Sequence, residues 1–417
     1  MKQKVPYLLL AIDFGASATK AIGSLVGTRE DCITLSMSPH CIEVDNNSSL
    51  IPDPDFDEHQ SWVTIEGKSY ALGNLAATKF NSSLKVKPLK FTSAVQKACA
   101  VISVFAQKFQ LPEKFNLSLA FVLPPAEWEH RQTIVDRMAA AVQDLITPRG
   151  KIKPKLLSLS PFQEGMGVLL GQELNPKEIA TITVVMVGFR NTSIFTANYG
   201  SVGGSQTSDL GFHHLLKEIA GKTGYRIEDL IEPVFNYTYF KRQIAEYTCL
   251  IANCEQSLKD FSGFDYERRG HLQLELEASN QKINEYQSES ELTFNSLLRN
   301  SGADRSAEVE MLIRSIEKEQ TNYSTKIKDW LSEMMPSESN LILMSGGTIE
   351  YLDEDFKAFL QAKIVKKDRL QLRTHLAIHI PENIRFKTVS KERFADIYSL
   401  WNWTSSKLEV SQTGNLK

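Results

Sequence analysis

Hydrophobic positions along the chain follow two rhythms. Mostly apolar runs at 7–12, 116–122, 180–187 and 340–344 are too short for helices and read as buried strands. Alternation at 62–65 and 70–72 predicts a small antiparallel meander, and 194–199 predicts a strand returning after a polar turn. Spacing of three and four residues predicts helices over 94–110, 127–145 and 391–403. The last of these carries Phe394, Ile397, Tyr398 and Trp401 at i, i+3, i+4 and i+7. Between the third and fourth apolar runs the chain turns polar, with amphipathic helices predicted over 250–261 and 307–334. Leu272, Leu274 and Leu276 alternate, leaving a short strand or a helix start open there. Strands alternating with helices give an α/β chain with one polar helical insertion late in the sequence.

At 417 residues the chain exceeds a single core, and a soft prior of roughly 100–200 residues per domain allows two to four domains. Its 47 basic and 50 acidic side chains leave a net charge of −3, which argues against direct binding of nucleic acid over the whole surface. No apolar run reaches eighteen residues, so no transmembrane segment is expected. The first apolar run lacks a small-residue cleavage site, so it does not read as a signal peptide. Cys32, Cys41, Cys99, Cys249 and Cys254 are odd in number and form no CxxC pair, as suits a reducing, cytoplasmic setting.

Three turns carry the candidate chemistry. In AIDFGASATK, residues 11–20, a buried strand delivers Asp13 to a turn through Gly15. Backbone N–H groups in such a turn form an anion-binding concavity. Ser17 and Thr19 add hydroxyls, Lys20 can neutralise phosphate charge, and Asp13 can hold Mg2+ through its waters. An ordinary β-hairpin turn is the bland alternative. The second turn follows the strand at 180–187 and offers Gly188, Asn191 and Thr192. The third places Ser345, Gly346 and Gly347 between a buried strand and an expected helix, whose N-terminus would face phosphate.

Taken in order, the strand–DxGxxxxK string, the second strand–turn and the strand–GG–helix resemble the phosphate 1, phosphate 2 and adenosine motifs of the actin-like ATPase superfamily. The length and the strand ending in Leu123-Pro124-Pro125 are most similar to bacterial ParM/StbA-type filament proteins. The resemblance implies an actin-like fold of two RNase H-like domains with ATP or ADP between them. By position, Asp13 would be the magnesium-side acid, and Gly15 and Lys20 would bind phosphate. Gly188 and Thr192 would form the opposing loop, and Gly346 and Gly347 would back the α-phosphate and adenosine. Gly211 would open the next helix, and Lys241 and Arg242 would approach the adenine and ribose. The helix joining the domains is expected near SPFQEGMG, with Glu164 or Gln163 orienting the attacking water. One departure stands out: relatives usually carry an Asp two residues before the first Gly of the second turn, where this chain has Met186.

The implied organisation is a first domain over 1–178, a second over 179–378 with a helical subdomain at about 240–335, a final helix at 379–403 returning to the first domain, and a disordered tail over 404–417. The implied function is an ATP-binding protein with weak ATPase activity that polymerises with itself head to tail. Its role would be DNA segregation through a small DNA-binding adaptor, or cell shape or positioning. A small-molecule kinase and a non-hydrolysing scaffold remain open, whereas a chaperone of the superfamily lacks chain for a peptide-binding domain. Lys79, Lys85, Lys87 and Lys90 read as solvated charges, as do Lys363, Lys366, Lys367, Arg369 and Arg373 on a helix face. His213-His214 reads as a helix-start surface feature, and Trp401, Trp403 and Tyr398 as core more than docking patch.

Overall fold

The computed structural model describes residues 5–414 apart from 46–49, 51–52, 54–55, 83–88, 173, 261–265, 299–302, 350–351, 353, 366–371, 375–379 and 381–390. The strands are β1 (Tyr7–Phe14), β2 (Thr19–Leu25), β3 (Ile33–Met37), β4 (Cys41–Val44), β5 (Trp62–Ile65), β6 (Lys68–Leu72), β7 (Asn116–Leu123), β8 (Leu145–Thr147), β9 (Gly150–Ile152) and β10 (Lys155–Gln163). Then come β11 (Thr181–Val187), β12 (Thr192–Asn198), β13 (Ser201–Ser208), β14 (Leu341–Ser345) and β15 (Leu372–Thr374). The helices are α1 (Gly73–Thr78), α2 (Ala94–Lys108), α3 (Arg131–Ala141), α4 (Met166–Leu170), α5 (Phe212–Thr223), α6 (Ile227–Lys259), α7 (Tyr266–Leu292), α8 (Ala303–Met334), α9 (Glu354–Gln361) and α10 (Ala395–Gly414).

Two of the sheets repeat one plan. One runs β10-β7-β1-β2-β3 and the other β13-β12-β11-β14-β15. In each, a three-stranded antiparallel meander begins on a strand that also pairs in parallel with a later one: β1 with β7, and β11 with β14. This is the RNase H-like arrangement, present twice. A third, antiparallel sheet runs β4-β6-β5-β8-β9.

Alternation along β1 decides what lies on each face. Leu8, Leu10, Ile12 and Phe14 join α2 and α3 in one core. Leu9 and Ala11 join Ile182 and Val184 of β11, Leu341 and Leu343 of β14, and Phe394, Ile397 and Trp401 near α10 in a second. Asp13 continues the Leu9–Ala11 series, which aims its carboxylate at the side where α10 begins.

By contacts the chain divides into two compact units. The first comprises residues 1–211, 329–349 and 357–417; the second comprises 212–328 and 350–356. Within the second, Leu216, Leu230, Val234, Leu312, Ile316 and Ile327 are buried. The Tyr237 hydroxyl donates to Glu317 at 3.1 Å. Residues 272–276 lie inside α7, and Leu274 is exposed, so the leucine alternation there marks no strand.

Several expectations at element ends are revised. Residues 127–145 are not one helix: 3-10 turns at 125–130 and 142–144 flank α3. The stretch SPFQ belongs to β10, and only the five-residue α4 follows it. After Gly346-Gly347 the first described α-helix, α9, starts at Glu354 rather than directly at the glycines. The expected tail over 404–417 is helical as far as Gly414. Its hydroxyl side chains bond back along the helix, Thr404 to Leu400 and Ser406 to Asn402, while Leu408 packs on the second core. Trp401 and Tyr398 are buried there, and Trp403 meets Phe162 edge-on.

Candidate functional site

The first turn is a β-hairpin whose register sets Asp13 opposite Lys20 and Phe14 opposite Thr19. Gly15 is required by close approach, since a Cβ there would lie 2.5 Å from the Ala18 carbonyl oxygen. Lys20 Nζ sits 2.8 Å from Asp13 Oδ2 and donates to the Arg393 carbonyl at 3.0 Å. The Arg393 guanidinium in turn donates to Ser17 Oγ at 2.9 Å. The Thr19 hydroxyl is buried and has no hydrogen-bond partner.

Lys90 is the residue that sequence reasoning missed. Taken for a solvated charge, it is instead buried, with Nζ 2.9 Å from Asp13 Oδ1 and ion-paired to Glu164. Nothing in the local string LKFTS distinguishes it from a surface lysine; its partners lie 77 and 74 residues away. Lys79 is exposed, as expected, and Lys85 and Lys87 fall outside the described residues.

Glu164 and Gln163 separate here. Glu164 shares the Lys90 ammonium with Asp13, whereas the Gln163 side-chain oxygen is buried without a hydrogen-bond partner. The adjoining turn is held by Asp396, which accepts from the Gly165 N–H at 2.9 Å and the Val168 N–H at 3.1 Å. Gly165 has φ +88°, and a Cβ on it would lie 2.8 Å from Val184 and 3.0 Å from Met186.

The second and third turns are neighbours because β11 and β14 are: Met186 stands opposite Ser345. The Gly188 N–H donates to the Asn191 carbonyl at 2.8 Å, closing the second turn, and the Thr348 hydroxyl donates to the Gly188 carbonyl at 2.9 Å. The Asn191 side-chain nitrogen is buried without a hydrogen-bond partner. Thr192 is spent structurally, its hydroxyl donating to the Leu210 carbonyl. Gly211 packs so closely on Arg190 and Asn191 that a Cβ would overlap their backbone. Gly346, at φ +111°, lies equally tight on the Val187 carbonyl, and a Cβ on Gly347 would lie 2.7 Å from Arg393 Nε. Arg190 is ion-paired to the fully buried Glu127.

The repeated sheet plan makes the departure at Met186 concrete. In the first sheet Asp13-Phe14-Gly15 ends β1; in the second, Met186-Val187-Gly188 ends β11, and Met186 packs against the same core. A carboxylate stands at one strand end and a thioether at the other.

Electrostatics follow from burial. Desolvation alone would raise the Asp13 pKa, but Lys20 and Lys90 outweigh it and hold the carboxyl well below its usual range. Burial would lower the Lys90 pKa, and Asp13 and Glu164 reverse that and push it up. Asp396 is pushed up to about 6 by burial, with the Gly165 and Val168 amides opposing and the Asp13 and Glu164 charges adding. Among the described residues no three His, Cys, Asp or Glu side chains converge into a direct metal cage. Magnesium, however, keeps most of its waters and needs only one or two carboxylates beside a phosphate. Asp13 and Glu164 supply that kind of donor set, so these residues fit the ion.

The remaining expected residues lie apart. Lys241, on α6 in the second unit, pairs with Glu317 at 2.5 Å, and Arg242 pairs with Glu246 at 2.8 Å. Arg373 lies in a strand, not on a helix face, and reaches Gln172 at 3.4 Å; Lys366, Lys367 and Arg369 lie outside the described residues. His213 and His214 lie in the first turn of α5.

No protein-family model and no curated protein matches the chain. Solved structures do. ParM of Bacillus thuringiensis with ATP shares 11% identity, covering 97% of this chain and 99% of that one, at a TM-score of 0.52. The Alp12 filament shares 12% identity, covering 96% and 99%, at 0.51. An archaeal actin homolog shares 12%, again covering 96% and 99%, at 0.51. The chain therefore has the actin-like fold over nearly its whole length.

Proposed function

We propose that this chain is an actin-like nucleotide-binding protein in which ATP or ADP occupies the three turns, ATP is hydrolysed slowly, and the nucleotide state governs head-to-tail assembly of copies into a filament. The observation that carries the reading is the clasp made by Arg393. Its guanidinium meets Ser17 of the first turn and packs on Gly347 of the third, while its carbonyl takes Lys20. Two turns far apart in sequence, the first and the third, are thereby tied beside one acid, Asp13.

In this reading the amides of the Gly15 and Gly188 turns and Lys20 receive the phosphates. Asp13 would hold Mg2+ through its waters, and the ion would supply further charge neutralisation at the phosphates. Phosphoryl transfer is mostly positioning and electrostatics, so one carboxylate that orients water is sufficient machinery. Glu164 suits that role better than Gln163, because it shares a cation with Asp13. Met186 cannot hold a water at the second strand end, which makes turnover slow. The same residue favours a second reading, a scaffold that binds ATP without hydrolysing it.

The domain division at about residues 178 and 378 belongs to this proposal, as do cytoplasmic location and attachment of cargo through a DNA-binding adaptor. Support for assembly comes from the fold, shared with a filament structure of Alp12, and support for ATP from the ParM structure solved with it. Electron microscopy and pelleting with ATP, with ADP and without nucleotide test the reading. Filaments that appear only with nucleotide are expected. A monomer in all three conditions, with no ATP binding, overturns it.

A further inference from the structure

Beside the first turn lies a cavity of about 500 Å3, bordered by Phe14 and Ala16, by His40 and Cys41, and by Gln96 and Lys97 of α2. Lys97 is 6% exposed, yet its ammonium has no carboxylate or hydrogen-bond partner among the described residues. The other cations on the cavity wall are already matched, Lys90 by Asp13 and Glu164 and Arg190 by Glu127. The nearby Cys41 thiol cannot serve as counter-ion, since burial pushes its pKa up to about 11. Burial, and then Lys97 itself, lower the His40 pKa below its ordinary value, and the Ser38 hydroxyl lies 2.7 Å from its Nδ1. The adjoining Gln96 is equally buried, and its side-chain oxygen has no hydrogen-bond partner.

A buried charge without a partner is costly, and so is a buried amide oxygen without a donor. Both sit next to each other on one helix and line one cavity. We propose that this cavity binds a small organic oxyanion, a carboxylate- or phosphate-bearing molecule whose charge is met by Lys97 and one of whose hydroxyl or amino groups donates to Gln96. The cavity exceeds a bare phosphate, which leaves room for the ligand's body against Phe14 and Cys41. Glu43 on the cavity rim sets a limit on the ligand's total negative charge. The cavity adjoins the first turn through Ala16 and the second through Arg190, but the inference rests on Lys97 and Gln96 of α2 and does not depend on nucleotide binding.

The test titrates the full chain with inorganic phosphate and, separately, with acetate, in low-salt buffer, by calorimetry and thermal unfolding. The saturating arm identifies the oxyanion. Lys97→Met keeps the apolar stem and removes the charge. It should unfold at a higher temperature than the parent in anion-free buffer, and it should lose about tenfold or more in probe affinity. Lys97→Arg should keep the binding. Should Lys97→Met fail to fold, Lys97→Gln, which keeps a donor, takes its place with the same expected loss. The proposal is overturned if neither probe saturates, if the charge-free variant binds with parental affinity, or if Lys20→Met abolishes probe binding, because the anion then sits on the first turn.

Discussion

Replacing Lys90 by Met tests whether one buried cation organises the candidate site. Its side chain is 7% exposed, Asp13 is 15% and Glu164 11%. At the observed 2.9 Å, an effective dielectric of about 20 gives an attraction of about 6 kcal/mol to Asp13 before desolvation is subtracted. Removing one partner of a buried pair costs about 3–5 kcal/mol, because a buried charge is left behind. The loss should fall unevenly. Asp13 keeps Lys20 at 2.8 Å, whereas Glu164 has no other cation among the described residues. Adding Glu164→Gln to the Lys90→Met variant should therefore restore about 1.5 kcal/mol or more, even though Glu164→Gln alone weakens the parent. Urea unfolding followed by tryptophan fluorescence measures all four proteins. The pH dependence supplies a second reading. Asp13 has a folded pKa below its ordinary 3.8, so its stabilisation is full above that value and is lost as pH falls through it towards the folded pKa. In Lys90→Met the folded pKa rises towards 3.8, so this acid loss should be smaller and complete at higher pH. A loss under about 1 kcal/mol at neutral pH, or no recovery in the double variant, would mean that the lysine behaves as an exposed charge, and the site would need another organising centre.

The remaining expectations concern single positions. Lys97 has its pKa lowered by burial to about 8 from 10.5, so between those values the unfolded chain holds more protons and stability rises with pH, by about 3 kcal/mol in total. Lys97→Met should flatten that slope in urea titrations run across pH 7–10, and an unchanged slope would assign it elsewhere. Gly346→Ala places a side chain at φ +111° against the Val187 carbonyl, and should cost about 1–3 kcal/mol or more and weaken ATP binding in a fluorescent-nucleotide titration. Met186→Asp should accelerate phosphate release; parental turnover in that variant, with ATP still bound, would show that the missing acid is not what limits the rate.

The turns were legible because each is written in contiguous residues: a buried strand, then glycine and hydroxyl side chains. The repeated sheet plan was half visible, through the apolar strands that end at Phe14, Leu123, Val187 and Ser345. What fills the space between the turns was not. Lys90 resembles any helix-start lysine, and only the β1, β7 and β10 pairings bring Glu164 to Asp13. Arg393 and Asp396 precede or open a helix read for its apolar stripe, and their polar contacts lie 228 to 376 residues away. Lys97 falls on the α2 helix among buried apolar residues, where periodicity alone treats a lysine as an interruption. The polar residues beyond 403 resembled a tail because hydroxyl side chains that bond back to carbonyls of their own helix cannot be told from solvated ones without the backbone.

The Arg393 clasp also has a consequence for the order in which the molecule is made. Ser17 and Arg393 are separated by 376 positions, and ribosomes add about 5–20 residues per second, so the two meet roughly 20–75 seconds after the first turn is synthesised. Until then the first hairpin lacks the partner that fixes its serine and its lysine. A nascent chain thus carries an unfinished first turn until residue 393 has been added. If assembly depends on nucleotide, a growing polypeptide cannot join a filament before that residue has been made.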